Sequence, residues 1–157
     1  MLAFLRHTFF RFIPAWVIAF VFASVLHSHF VLFELVALDI DIPASKWMSM
    51  VIDDLLGLLP SYGGIIAVTL IISFFIASRL NNFLKKHALT LATSNKASVY
   101  GAAVIFGTAG AVGFFVMLAA MQPILDVTLI AGARSNLGIA AQCFAGFVSG
   151  FVYGRLR

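Results

Sequence analysis

Along the chain, four long apolar stretches alternate with short polar ones: about residues 12–38, 61–80, 98–121 and 137–154. Crossing the hydrocarbon core of a bilayer takes about 20 apolar residues in a helix, and fewer at the short end of the range. The fourth stretch only just meets that length, so it should stand close to the membrane normal. Inside the bilayer every backbone N–H and C=O needs an internal partner, which a helix supplies. The pattern therefore predicts an all-α membrane protein, a four-transmembrane-helix bundle with one domain over residues 1–157. Pro14 falls in the expected first turn of the first helix, where a missing N–H is harmless. A cleaved signal peptide is the rival for this end, but its apolar core of about 7–15 residues would close on small side chains. The bulky run from His27 to Phe33 follows instead, so the helix is expected to be retained.

The connections differ in character. Trp47, Val51, Leu55 and Leu58 recur at helical spacing between Pro43 and Pro60, which suit a helix start and a helix end. This predicts a short amphipathic helix over about residues 44–58, lying on the outer face with Trp47 in the interface. Asp53 and Asp54 are expected to point away from its apolar side. Residues 80–97 are polar and basic, a surface loop with a short helix that attracts anionic lipid head groups. Residues 124–133 are unusually apolar for a connection and are expected to dip into the interface or dock on the outer helix.

Charge orients the bundle. Arg6 and Arg11 precede the first helix, Arg79, Lys85, Lys86 and Lys96 lie between the second and third, and Arg155 and Arg157 follow the fourth. Only Lys46 and Arg134 fall on the other side, with all six acids: Glu34, Asp39, Asp41, Asp53, Asp54 and Asp126. Basic residues mark the cytoplasmic side, so both termini are expected inside a prokaryotic plasma (inner) membrane, a multi-pass arrangement. Composition agrees: 62% of the 157 residues are hydrophobic and 10% charged, against about 25% charged in soluble domains. The net charge of +4 is dispersed between apolar runs, which makes nucleic acid an unsuitable partner. The one cysteine, Cys143, lies in an apolar segment and supports neither a disulfide nor a thiol relay.

Two patterns are candidates for function. In the fourth helix Gly138, Gln142, Gly146, Gly150 and Gly154 recur every four residues, beside a row of Ala141, Ala145 and Ser149. Small residues at this spacing let helix backbones approach, and association in lipid gains from the resulting van der Waals contact. The third helix offers a matching surface in Ala103, Gly107 and Ala111, with Gly110 and Gly113 beside it. These glycines are read as helix-packing residues, either in a hairpin within one chain or in a seam between copies. The second pattern is polar: His27 with Ser24, Ser28, His29 and Glu34 in the first helix, Thr69 in the second and Gln142 in the fourth. His27, Thr69 and Gln142 reach similar depth and are expected to form a polar intramembrane site, since buried polar groups find partners inside a bundle. His29 projects to another side, because residues two apart do not share a helix face. Near the outer surface, Arg134 is expected to pair with Glu34 or Asp126, Glu34 being otherwise a solvated carboxylate, and Ser135 or Asn136 to cap the fourth helix.

No catalytic set, metal site or cofactor site is implied. No two histidines face each other for haem, which leaves only a His27–Met117 pairing between the first and third helices at plausible depth, and the acids lack the spacing of a calcium loop. The expected function is that of a non-enzymatic accessory or self-assembling membrane component, its partners being membrane lipids and a homo-oligomer or larger membrane complex. The alternative is a small oligomeric channel or transporter with a polar path near His27 and Gln142. The later spans hold no deep ionisable Asp, Glu, Lys or Arg of the kind transporters use, and the two halves show no inverted similarity.

Overall fold

The computed structural model describes residues 2–39, 41–87, 95–125 and 135–157. Its helices are α1 (Leu2–Val36), α2 (Ala44–Leu58), α3 (Gly64–His87), α4 (Asn95–Leu125) and α5 (Asn136–Leu156), with a π-helical turn (Leu59–Gly63) joining α2 to α3. Four helical stretches are long and apolar enough to cross a membrane, and no strand occurs among the described residues. The protein is an all-α, multi-pass membrane bundle.

Two of the boundaries that differ from the pattern lie at prolines. α1 begins at Leu2, so Pro14 stands in the helix interior instead of its first turn. The basic N-terminal residues reduce hydropathy without breaking the helix, since Arg is a good helix former. Pro60 does not end α2. The chain passes through it in the π turn and on into α3. A helical proline loses one backbone bond and crowds the carbonyl four residues back, and a local π bulge is a common way to absorb that insult. The freed geometry is put to use: the Trp16 indole N–H donates to the Gly63 carbonyl at 2.8 Å, tying the turn to α1. α3 also continues to His87, taking in the start of the expected surface loop, whose residues 88–94 lie outside the described ones. α1 closes on Asp39, whose φ of 60° is a left-handed conformation that Asp tolerates.

α5 is the central helix. It packs most extensively on α4, then on α1, while α3 packs on α4 and α2 lies along the end of α1. The core at the basic end is aromatic: Phe74 stacks on Tyr153 at 4.3 Å and meets Phe106 edge-on at 5.8 Å. Such pairs contribute about 0.5–1.5 kcal/mol each beyond their buried area. The end carrying Arg11, Arg79, Arg155 and Arg157 is called the basic end below, and the end carrying Asp54 the acidic end.

Candidate functional site at the acidic end of the bundle

Close helix approach comes first, because it decides which groups meet. The glycines lie on the α4–α5 contact, within one chain. A Cβ on Gly150 would overlap the Phe106 carbonyl, and one on Gly110 the Gly146 carbonyl. A Cβ on Gly146 would come within 2.5 Å of the Gly110 oxygen, and one on Gly154 within 2.6 Å of the Ala103 Cα. Gly107 sits under the Phe147 ring, at 2.9 Å from such an atom. Gly113 departs from this seam and faces α3, against the Ser73 hydroxyl and Thr69. Gly138 is buried, and its N–H donates to the Ser135 hydroxyl at 3.0 Å, the cap expected from the sequence.

The other face of α5 meets α1 across a second row of small residues, Ala15, Ala19 and Ala23, all fully buried. Their spacing of four carries the same signal as the glycines, yet alanines among Phe and Val stand out less in a sequence. Two α5 side chains bind the α1 backbone through this contact. Ser149 donates to the Ala15 carbonyl at 2.8 Å, and the Gln142 amide donates to the Ala23 carbonyl at 2.9 Å. The Gln142 Oε1 accepts from the Tyr62 hydroxyl at 2.9 Å. Gln142, 1% exposed, thus joins α5, α1 and the π turn at one point. Each polar group has exchanged its solvent for a protein partner, which is what burial in lipid requires.

Tyr62 is the residue that sequence reasoning missed. Of the expected layer of His27, Thr69 and Gln142, Gln142 bonds to Tyr62 and Ala23, and Thr69 turns to its own helix. His27 and Gln142 are buried at this end, but the Thr69 hydroxyl turns back to the Ile65 carbonyl at 2.9 Å, and the residue lines a groove between α3 and α4. A threonine in a helix satisfies itself this way without any partner helix, so depth alone did not place it in the site.

Asp54 is a second correction. It does not turn away from the apolar side of α2. Its Oδ2 lies 2.8 Å from the buried Ser28 hydroxyl, which is also 3.0 Å from the Ser24 carbonyl. One hydroxyl has one proton, and the charged acceptor takes the stronger bond. The physical reason was available: Asp54 follows Trp47 by seven residues, about 20° short of two full turns, so both share a face. His29 faces elsewhere, as expected. Its Nδ1–H donates to the Val25 carbonyl at 2.7 Å, and its ring meets Trp47 edge-on at 6.0 Å.

No protein-family model matches the chain, and no curated protein or solved structure is significantly similar to it.

Glu34 is exposed on the last turn of α1, and its expected partner Arg134 lies outside the described residues. Among the described residues no three His, Cys, Asp or Glu side chains gather to hold a metal ion. Among the described residues the fully buried Ser24 Oγ has no hydrogen-bond partner. This gives a matched pair of tests. Ser24→Ala should leave stability unchanged or raise it by about 1 kcal/mol, since it removes an unmet polar group. Ser28→Ala should cost about 1.5 kcal/mol, the scale of a bond to a charged acceptor. Unfolding in mixed detergent–SDS micelles, followed by circular dichroism, measures both. Loss of stability in the Ser24 variant would show that the hydroxyl has a bound partner.

Proposed function

We propose that the protein is a non-enzymatic component of a membrane assembly, a helical scaffold that acts through its surface. The observation that supports this is the closure of its interior. Gln142, buried within α5 toward the acidic end, is tied to Tyr62 and to the Ala23 backbone. The glycine seam joins α4 to α5 within the chain, so assembly must use another face. α2 offers one at the acidic end: Met48, Ile52 and Leu56 form an exposed apolar stripe, while Trp47 and Asp54 turn to α1. With basic residues toward the cytoplasm, both termini lie inside and α2 lies on the outer surface of a plasma membrane.

Particle mass in nanodiscs, with chemical cross-linking in native membranes, tests this reading. Wild type should cross-link to a defined neighbour or to itself, and Ile52→Glu should abolish that product while the helical content stays. A wild-type chain that remains a lone monomer in both settings would overturn it.

Conduction is the second reading, and Ser24 favours it: an unmet buried hydroxyl beside Ser28 and Asp54 is where a polar path would begin. Toward the basic end, however, Ala19 and Ala145 are both fully buried in the core. Proteoliposomes should therefore show no proton or cation flux above protein-free vesicles.

A further inference from the structure

Among the described residues, a groove between α3 and α4 is left unfilled. α4 seals against α5 over glycine, whereas its contact with α3, closest at Gly113 and Ser73, leaves a groove of about 450 Å³. Its sides are Ile72 and Ile76 of α3 and Val112 and Val116 of α4, all exposed, and Ala109 and Gly113 form part of its lining. An empty apolar groove in a bilayer forfeits dispersion contacts along its whole lining, and water gains nothing among these residues. Its width selects the occupant. From Ala109 to Met121 the groove runs ~18 Å at ~1.5 Å per residue, so it is long and narrow for its volume. A helix with side chains is ~10 Å across and does not fit, but a single hydrocarbon chain does.

The basic end of the groove selects the head group. Arg79 follows Ile72 by seven residues, and Lys86 follows Arg79 by seven, so they lie about 20° and 40° from the Ile72 rim of the groove, on its Phe75 side. Both are exposed, and the Arg79 guanidinium lies 5.1 Å over the ring of Phe75, which is itself exposed. All six acids fall at or beyond the other end of the spans, so no carboxylate competes for these cations. A guanidinium presents a planar fork that matches phosphate oxygens, and basic residues at a membrane surface attract anionic lipids.

We propose that the α3–α4 groove is a binding site for one anionic phospholipid of the leaflet on the basic side, its acyl chain in the groove and its phosphate on Arg79, with Lys86 farther out. This site is separate from the polar contacts of α5 and from the α2 stripe, so it stands or falls independently of the assembly role.

The full-length protein in a non-ionic detergent is titrated with phosphatidylglycerol or with phosphatidylcholine of the same chains, and bound lipid is counted by native mass spectrometry. Wild type should hold one phosphatidylglycerol at least about fivefold more tightly than phosphatidylcholine, the scale of one basic residue near a surface. Arg79→Gln, on an exposed position, should remove most of that preference. Ala109→Phe, which fills the groove near Arg79, should weaken both lipids. Equal binding of the two lipids to wild type, or an unchanged preference in Arg79→Gln, would overturn the proposal. Should Ala109→Phe fail to fold, chain-brominated phosphatidylglycerol gives a separate readout. It should quench a tryptophan at Val112 more strongly than one at Phe144, which is exposed on α5 away from the groove. Equal quenching would place the lipid elsewhere and end the idea.

Discussion

Leucine at Gly150 should prevent the bundle from folding, at a cost of more than about 4 kcal/mol, beyond the range of ordinary substitutions. The new Cβ alone would overlap the Phe106 carbonyl and crowd the Gly107 Cα at 3.0 Å, and both are backbone atoms that cannot rotate aside. Relief requires α4 and α5 to separate. That separation would pull apart the neighbouring contacts Gly146 to Gly110 and Gly154 to Ala103, and with them the dispersion gain that drives association in lipid. Gly101→Leu is the control: a Cβ there meets nothing within 4 Å, so its effect should stay within about 0.5 kcal/mol. SDS titration and size-exclusion chromatography compare the two. A Gly150→Leu chain that stays folded but loses a wild-type oligomer would show that the glycines serve a seam between copies.

Gln142→Leu should cost about 2 kcal/mol, combining the bond to Ala23 with a Tyr62 hydroxyl left without its acceptor. The substitution keeps a bulky side chain in place, so little of the loss comes from a cavity. Interhelical hydrogen bonds in bilayers average only about 0.6 kcal/mol and reach about 1.7, so most of the effect must come from the stranded phenol. Tyr62 is 3% exposed and has no water to turn to. A double-mutant cycle isolates this: with Tyr62→Phe already present, Gln142→Leu should cost about 1 kcal/mol less than alone. Strict additivity of the two changes would mean that the Tyr62–Gln142 bond contributes nothing.

Much of this protein was legible before any coordinates. Four spans, the α2 segment and the Ser135 cap follow from hydropathy, period and local chemistry, because each depends on residues within one or two turns. The prolines show where local rules fail. Pro60 reads as a stop, yet Leu58 through Gly64 remain helical because Trp16 and Phe20 of α1 pack against the turn. Asp54 was recoverable, since its angle from Trp47 is a property of the helix alone.

The glycine pattern determined that some backbone would approach closely, because no other residue leaves that space free. Which backbone it meets was decided by the fold: α4 of the same chain for Gly146, Gly150 and Gly154, and α3 for Gly113. The same division holds for the polar groups. Hydropathy required that a buried glutamine find partners, but naming Tyr62 and Ala23 needs the relative register of three helices. Register between helices is set by side-chain packing over many residues at once, and single-helix periodicity carries no information about it. The open α3–α4 groove belongs to the same class, since it is the space left over once α4 has closed on α5.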